Sequence, residues 1–142
     1  MVGKNILEHP ATKSHEIFAP SSQDLDLLDR NAVLEYIEGL VPDIVIHAAG
    51  RVGGIQANIA NPVNFLTQNL DMGLNVISAA ALVGVSNLLN FGSSCMYPRD
   101  SENPLREDYV LKGELEPTNE GYALAKIAGI KLCEAMKRQY NF

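Results

Sequence analysis

The fold is decided by residues 42–50, which read Pro-Asp-Ile-Val-Ile-His-Ala-Ala-Gly. Within them, the run from Ile44 to Ala48 is short, mostly apolar and bounded by a proline and a glycine. The run from Leu88 to Phe91 has the same character and lies between two glycines. Continuous apolar runs of this length are typical of parallel strands that are covered on both faces. We therefore predict two parallel strands, with a weaker third strand at Glu16–Ala19.

Two helical patterns with recognisable ends lie beside these strands. Asp29 is placed to cap the first helix, and Asn61 with Pro62 supplies a cap and a first-turn proline for the second. Gly84 ends the second helix, because glycine readily adopts the left-handed conformation of helix ends. The apolar residues recur at helical spacing: Val33, Leu34, Ile37 and Leu40 or Val41 in the first helix, and Val63, Leu66, Leu70, Leu74, Ile77 and Ala81 in the second.

A last helix is predicted to begin near Thr118–Glu120 and to run to about Gln139. It carries one apolar stripe from Ala123 to Cys133 and another from Ala125 to Met136. One stripe covers the sheet, and the other is explained equally well by burial beneath the rest of the chain or by a subunit interface. The alternation of strands and helices predicts an α/β fold with a parallel sheet.

Composition excludes several classes of protein. The chain has 142 residues, 46% of them hydrophobic, and a formal net charge of -6. An acidic chain is a poor binder of nucleic acid, which needs a basic surface, and no apolar run approaches the ~20 residues of a membrane span. The two cysteines, Cys95 and Cys133, are too few for a disulfide framework, so we expect a cytoplasmic protein.

The clearest chemistry belongs to Ser93, Tyr122 and Lys126. Tyr122 and Lys126 are four positions apart in the predicted last helix, so both project from one face. An ammonium beside a phenol favours the phenolate, and we expect it to lower the pKa of Tyr122 from about 10. Ser93 follows a strand, at the sheet edge where such folds bind ligands. Together they would hold and protonate a carbonyl oxygen; the alternative is an ordinary tyrosine and lysine on a helix surface.

These residues and three longer segments resemble the extended short-chain dehydrogenase/reductases that act on nucleotide sugars. The segments are residues 47–55 (His-Ala-Ala-Gly-Arg-Val-Gly-Gly-Ile), 92–98 (Gly-Ser-Ser-Cys-Met-Tyr-Pro) and 115–123 (Leu-Glu-Pro-Thr-Asn-Glu-Gly-Tyr-Ala). They look like the members that epimerise C3 and C5 of GDP-4-keto-6-deoxy-D-mannose and then reduce its C4 ketone with NADPH, giving GDP-L-fucose. The resemblance implies a Rossmann-like, doubly wound parallel sheet, a nucleotide-sugar substrate, and a homodimer in the full-length protein.

The resemblance also implies roles for individual residues. Ser93 and Tyr122 would hold the C4 oxygen, with Tyr122 donating the proton as hydride arrives. Lys126 would lower the pKa of the tyrosine and hold the nicotinamide ribose. Cys95 matches the acid/base of the epimerisations, because a thiol can act on either side of that proton transfer; its alternative is a small buried thiol. Cys133 lies on an apolar stripe and is assigned to packing.

Two further residues are candidates for contact with the substrate. Ser94 lies between the serine and the cysteine of the second segment, and Asn119 lies in the third. For Asn119, capping of the last helix is an equal explanation. Two other functions remain open at this stage: another epimerase, reductase or dehydratase of the same superfamily, and a non-catalytic dinucleotide-binding remnant.

Cofactor binding is assigned by resemblance to the turn after the first strand. Ala48, Ala49 and Gly50 would let the cofactor approach the backbone, although tight helix–strand packing explains small residues equally well. Gly3 would be the last glycine of a dinucleotide loop. The residues after the predicted third strand, at positions 19–22, contain no acid to bind a ribose 2′-hydroxyl, which mildly favours NADP over NAD.

The chain is expected to be an incomplete domain. Family members carry a first strand before Gly3 and a substrate lobe after Phe142, so residues 1–142 would form a partial NAD(P)-binding Rossmann domain. The first strand of a doubly wound sheet lies between its neighbours, and without it their backbones lack hydrogen-bonding partners. We therefore expect the 142 residues alone to fold poorly and to be inactive.

Overall fold

The elements that position the site are seen in a computed structural model, which describes residues 2–142. The helices and strands of that range follow in chain order: α1 Val2–Glu8, α2 Arg30–Leu40, β1 Ile44–His47, α3 Ile55–Ala60, α4 Pro62–Val83, β2 Asn87–Asn90 and α5 Glu120–Tyr140. Short 3₁₀ turns occupy Pro10–Ser14, Ser94–Met96 and Glu107–Tyr109. Both predicted strands form, each ending one residue earlier than expected, and the mixed α/β class is confirmed.

The sheet of the described residues consists of β1 and β2, which run parallel. Ile44 is opposite Asn87 and His47 is opposite Asn90. The pairing continues one step further, because the Phe91 amide donates a hydrogen bond to the His47 carbonyl at 3.4 Å. Since parallel strands place their carboxyl ends at one edge, the residues that follow β1 and β2 emerge side by side.

The predicted third strand is wrong. Residues 16–19 have no regular secondary structure, and Ile17 and Phe18 are exposed. A strand exists only where a neighbouring backbone accepts and donates its hydrogen bonds. None of residues 2–142 forms such a ladder with this segment, so its β-branched and aromatic character is not sufficient.

Asp29 caps α2 as predicted. Its carboxylate accepts hydrogen bonds from the amides of Asn31 and Ala32 at 2.9 and 3.1 Å. Val33 and Ile37 of the predicted stripe are buried in the core. They pack against the middle and end of α4, in a cluster that also contains Val76, Ala79, Ala80 and Val85.

The capping prediction for α4 is half right. Pro62 is its first residue, but the side chain of Asn61 makes no capping hydrogen bond and instead donates to the Ala57 carbonyl. The apolar stripe is partly right: Ile77 is fully buried, but α4 packs on α2 and α5 mainly through residues that the stripe does not include. Exposed residues of the predicted stripe are Val63, Leu70 and Leu74; the buried residues of the helix are Phe65, Asn69, Gly73, Asn75, Val76, Ile77, Ala79 and Ala80.

The longest helices, α4 and α5, pack against each other. Gly121 allows the close approach of α4, since a Cβ at this position would lie 3.2 Å from the Leu66 Cβ. Gly129 allows the close approach of β2, since a Cβ there would lie 3.1 Å from the side-chain amide of Asn90. Both predicted stripes of α5 are at least partly buried against the rest of the chain, and Ala123, Ala125 and Ile127 are buried. This packing brings the beginning of α5 to the carboxyl end of β2.

Candidate active site

The turn after β2 supplies the first two site residues. The chain leaves β2 at Asn90 and enters a 3₁₀ turn, Ser94–Met96, in which the Ser93 hydroxyl accepts a hydrogen bond from the Cys95 amide at 3.4 Å. Met96 is buried and anchors the turn, whereas Ser93 and Cys95 are half-buried. Both side chains therefore have partial access to solvent at the edge where a parallel sheet offers a binding cleft.

Helix α5 and the residue before it supply the next three site residues. Tyr122 lies in the first turn and Lys126 one turn further, where its ammonium nitrogen is 5.8 Å from the centroid of the Tyr122 ring. That distance is within the range of a cation–π contact. Asn119 precedes the helix, and its amide nitrogen donates a hydrogen bond to the Cys95 sulfur at 3.4 Å. The turn after β2 and the start of α5 are thus joined through the thiol.

The pKa of Tyr122 contradicts the expectation from sequence. Partial burial raises the pKa of Tyr122 above its ordinary value of 10.0, the nearby Cys95 raises it further, and the interaction with Ser93 lowers it by less. The charge of Lys126, which was expected to lower this pKa, is directed over the ring. The phenol is therefore protonated near neutral pH, which is the form that an acid requires.

Lys126 lies between the site and the turn after β1. Burial lowers the pKa of its ammonium, and a Cβ built on Gly50 would lie 4.0 Å from its nitrogen. Burial also lowers the pKa of His47 to about 4, with a smaller contribution from the positive charge of Lys126. His47 is only 5% exposed, so it is a neutral core residue and not a proton donor.

The residues assigned to the cofactor gather at the same edge. Gly3 of α1 faces the turn after β1, since a Cβ at Gly3 would lie 3.7 Å from the Ala48 Cβ. Gly50 is closely approached by the Asn69 side chain, 3.0 Å from where its Cβ would be. Ala49 is exposed. Small residues and a lysine thus line one turn. This arrangement fits a dinucleotide cofactor, whose phosphates and ribose approach the backbone.

The first acidic residue after positions 19–22 is Asp24, and its carboxylate accepts hydrogen bonds within its own turn. Asp24 accepts hydrogen bonds from the Ser21 amide at 3.0 Å and from the Ser21 hydroxyl at 2.6 Å, and these bonds lower its pKa. Its carboxylate is therefore partly satisfied within its own turn.

Ser94 does not join the cluster, and neither does Cys133, which was assigned to packing. The Ser94 side chain is exposed and makes no hydrogen bond to any part of the chain that the structure describes. Cys133 is half-buried on α5, where burial raises the pKa of its thiol. It lies two turns beyond Lys126, and its assignment to packing agrees with this environment.

Asn69 is a positioning residue that the sequence interpretation missed. Its amide accepts a hydrogen bond from the Arg51 backbone amide at 2.9 Å and donates one to the Arg51 carbonyl at 3.0 Å. A third bond, of 2.7 Å, goes to the Phe65 carbonyl within α4. Asn69 therefore fastens the turn after β1 to α4. The available signal was its polarity at helical spacing from the buried residues Phe65 and Gly73.

Comparison with known proteins places this arrangement in a family. The model of the NAD dependent epimerase/dehydratase family matches residues 1–142. The chain therefore belongs to the NAD dependent epimerase/dehydratase family, and its partial parallel sheet is part of the Rossmann-like fold of that family.

Individual relatives have more specific names. The chain is 55% identical over 139 residues to a GDP-L-colitose synthase of Yersinia pseudotuberculosis, covering 98% of this chain and 45% of that protein. It is 51% identical over 142 residues to a GDP-L-fucose synthase of Azorhizobium caulinodans, covering 100% of this chain and 46% of that one. The chain thus spans about half the length of the curated relatives it matches.

A solved structure agrees with the fold. The GDP-mannoheptose C4 reductase from Campylobacter jejuni with NADP bound superposes with a TM-score of 0.91 at 34% sequence identity. The match covers 98% of this chain and 44% of that one. Within residues 2–142, no helix combines the length and the apolar character needed to cross a membrane.

Proposed function

We propose that the protein carrying this chain converts GDP-4-keto-6-deoxy-D-mannose to GDP-L-fucose, as a GDP-L-fucose synthase. The observation that supports this most directly is the grouping of Ser93, Cys95 and Tyr122 at one edge of the sheet, with Lys126 beside the tyrosine. A reductase needs a proton donor at the carbonyl oxygen, and an epimerase needs a base for the neighbouring carbon. The cluster offers both kinds of group within one site.

The proposed roles follow from the protonation states. Tyr122, whose pKa is raised, holds its proton until the C4 oxygen develops negative charge, and Ser93 donates a second hydrogen bond to that oxygen. The same two donors stabilise the enolate oxygen while Cys95 removes a proton from the adjacent carbon. Asn119 and Ser94 are proposed to lie against the sugar. A second acid/base for the epimerisations would be supplied from outside residues 1–142.

We propose NADP as the cofactor, with NAD as the alternative. When bound, NADPH supplies the hydride for C4. Residues 1–142 would form part of its Rossmann domain, with the ribose of the nicotinamide held by Tyr122 and Lys126 and the phosphates near Gly3. The support is the turn formed by Ala48, Ala49 and Gly50 next to Lys126, and the NADP that the similar Campylobacter reductase contains.

A second candidate is the synthesis of GDP-L-colitose. The observation that favours it is the 55% identity to the Yersinia colitose synthase. Colitose lacks the C3 hydroxyl of fucose, so its precursor has no stereocentre at C3 and needs inversion only at C5. Both routes need a base at a carbon next to the C4 ketone, and Cys95 would fill that role with either sugar.

Product analysis tests the function and separates the two candidates. The full gene product carrying these residues is incubated with NADPH and either GDP-4-keto-6-deoxy-D-mannose or its 3-deoxy analogue, and the GDP-sugars are compared with GDP-L-fucose and GDP-L-colitose standards. We expect NADPH oxidation with formation of GDP-L-fucose. Preferential conversion of the 3-deoxy analogue would favour the second candidate, and no NADPH oxidation with either substrate would contradict both.

The same proposal includes a homodimer in the cytoplasm. Its support is an apolar face of α4 that the described residues leave uncovered, formed by Val63, Leu70 and Leu74. Leucines exposed at helical spacing favour burial against another chain, and a second copy presenting the same face satisfies this with two-fold symmetry.

A further inference from the structure

Asn119 occupies the capping position of α5, but its side chain does not cap the helix. The backbone carbonyl of Asn119 accepts the hydrogen bond from the Ala123 amide, whereas the side chain makes no capping bond. Asparagine is among the residues most favoured at this position, because its oxygen can satisfy a free amide of the first turn. Helix α5 therefore lacks the stabilisation that a capping hydrogen bond from the Asn119 side chain would give.

The amide of Asn119 is directed to the thiol instead. Its nitrogen lies 3.4 Å from the Cys95 sulfur, across a separation of 24 residues in the chain. Both residues are half-buried, between the 3₁₀ turn after β2 and the start of α5. An N–H donor can pair with the sulfur of a thiolate, and this contact restricts the direction in which the sulfur is presented.

The other end of the same amide has no partner. The Asn119 side-chain oxygen is buried and accepts no hydrogen bond from any residue of the range 2–142, an arrangement that costs free energy. Because nothing holds this oxygen, rotation of the amide about its last bond breaks only the contact with sulfur. Rotation then presents the oxygen to the S–H of a protonated Cys95. One amide therefore complements both protonation states of the thiol.

We infer that Asn119 is the positioning residue for Cys95, orienting the sulfur and pairing with its thiolate and thiol in turn. The inference rests on the proposed function, in which Cys95 alternates between base and acid. The step is balanced: the thiolate takes a proton from the carbon next to the C4 ketone to give thiol and enolate, and the second acid/base, supplied from outside residues 1–142, protonates the enolate from the opposite face. The thiol then releases its proton to solvent, which restores the thiolate.

Substitution with aspartate separates this role from helix capping. Asn119→Asp has the same shape and an equally good capping residue, but it lacks the N–H donor and places a negative charge beside the sulfur. In the full gene product, the alkylation rate of Cys95 by iodoacetamide is measured at one pH by mass spectrometry of its peptide. We expect a fall of about tenfold or more, the range expected for a lost hydrogen bond to a charged group. Asn119→Ala should show a smaller fall.

The chain provides two matched controls. Cys133 on the same helix reports any general loosening, so its alkylation rate should stay unchanged in each variant. Asn61 occupies the equivalent position of α4, also without a side-chain capping bond, and Asn61→Asp should leave Cys95 unaffected. An unchanged rate for Cys95 in Asn119→Asp overturns the inference, and so does a parallel change at Cys133.

A substrate measurement completes the test. Exchange of the sugar's carbon-bound hydrogens with D₂O should slow in Asn119→Asp by a fall in kcat with little change in KM. A raised KM with unchanged kcat would mean that Asn119 only binds sugar and would overturn the positioning role. If the unsubstituted protein shows no exchange at all, the proposed function fails, whereas the alkylation result still decides whether Asn119 controls the thiol.

Discussion

The ammonium of Lys126 lies over the ring of Tyr122, 5.8 Å from its centroid. Burial, and not this lysine, sets the direction of the tyrosine pKa, which is raised. The lysine is itself partly buried and its pKa is lowered. With the cation on the ring face and the phenol protonated, the tyrosine oxygen can serve as a proton donor. Tyr122 is therefore prepared to act as an acid.

Removal of the phenol oxygen should stop reduction. We expect Tyr122→Phe to lower kcat for NADPH oxidation by about 10²- to 10⁴-fold, the usual contribution of a positioned general acid. The measurement is the loss of NADPH absorbance with the keto-sugar. Tyr140→Phe is the control, because Tyr140 is 64% exposed at the far end of the same helix. Equal loss in both variants would contradict the role of Tyr122.

Removal of the thiol should separate epimerisation from reduction. We expect Cys95→Ser to lose exchange of sugar hydrogens with D₂O by about 10²-fold or more, while NADPH still binds and the C4 ketone is still reduced. The readouts are deuterium in the product and fluorescence of bound NADPH. Cys133→Ser should keep both activities. Undiminished exchange in Cys95→Ser would exclude this thiol as the acid/base.

The buried His47 should make stability depend on pH. Its pKa falls from 6.5 to about 4 on folding, so the unfolded chain binds more protons between these values. This contribution is fully present above pH 6.5 and is lost as the pH falls to about 4, amounting to roughly 3 kcal/mol at most. Urea unfolding of the full gene product at several pH values measures it.

Two histidine variants isolate this effect from the carboxylates that titrate in the same range. His47→Gln should flatten the dependence of the unfolding free energy on pH between 6.5 and 4, even if it lowers stability overall. His15→Gln, at an exposed histidine, should leave the dependence unchanged. The same slope in His47→Gln as in the unsubstituted protein would refute the assignment.

The exposed face of α4 should control assembly. Leu74 is 47% exposed and lies on the face with Val63 and Leu70. We expect Leu74→Glu to shift the full gene product from dimer to monomer, because it places a carboxylate in a contact that excludes water. Light scattering after gel filtration measures the mass. Glu35→Gln, at an exposed position on α2, should leave the dimer intact; a monomeric unsubstituted protein would remove the dimer from the proposal.

Much of the architecture could be predicted because it depends on local patterns. Short apolar runs predict β1 and β2, and the Asp29 cap and the Pro62 start depend only on neighbouring backbone. The wrong expectations all depended on distant partners. Residues 16–19 lack a neighbouring strand, and the face that α4 buries is chosen by α2 and α5. The apolar spacing of α4 admits more than one face, so it could not decide between them.

The candidate site divides in the same way. By itself, the sequence determined which chemical groups are available, because Tyr122 and Lys126 are neighbours on any helix and Ser93 and Cys95 follow any strand ending at residue 90. Only the tertiary structure decided the pKa values and the hydrogen-bond partners of those groups. Three features arise where α4, α5 and the sheet meet. They are the burial that raises the pKa of Tyr122, the contact of the Asn119 amide with the Cys95 sulfur, and the hydrogen bonds between Asn69 and the Arg51 backbone. Desolvation and hydrogen bonding between distant segments depend on three-dimensional contacts, which residue spacing does not encode.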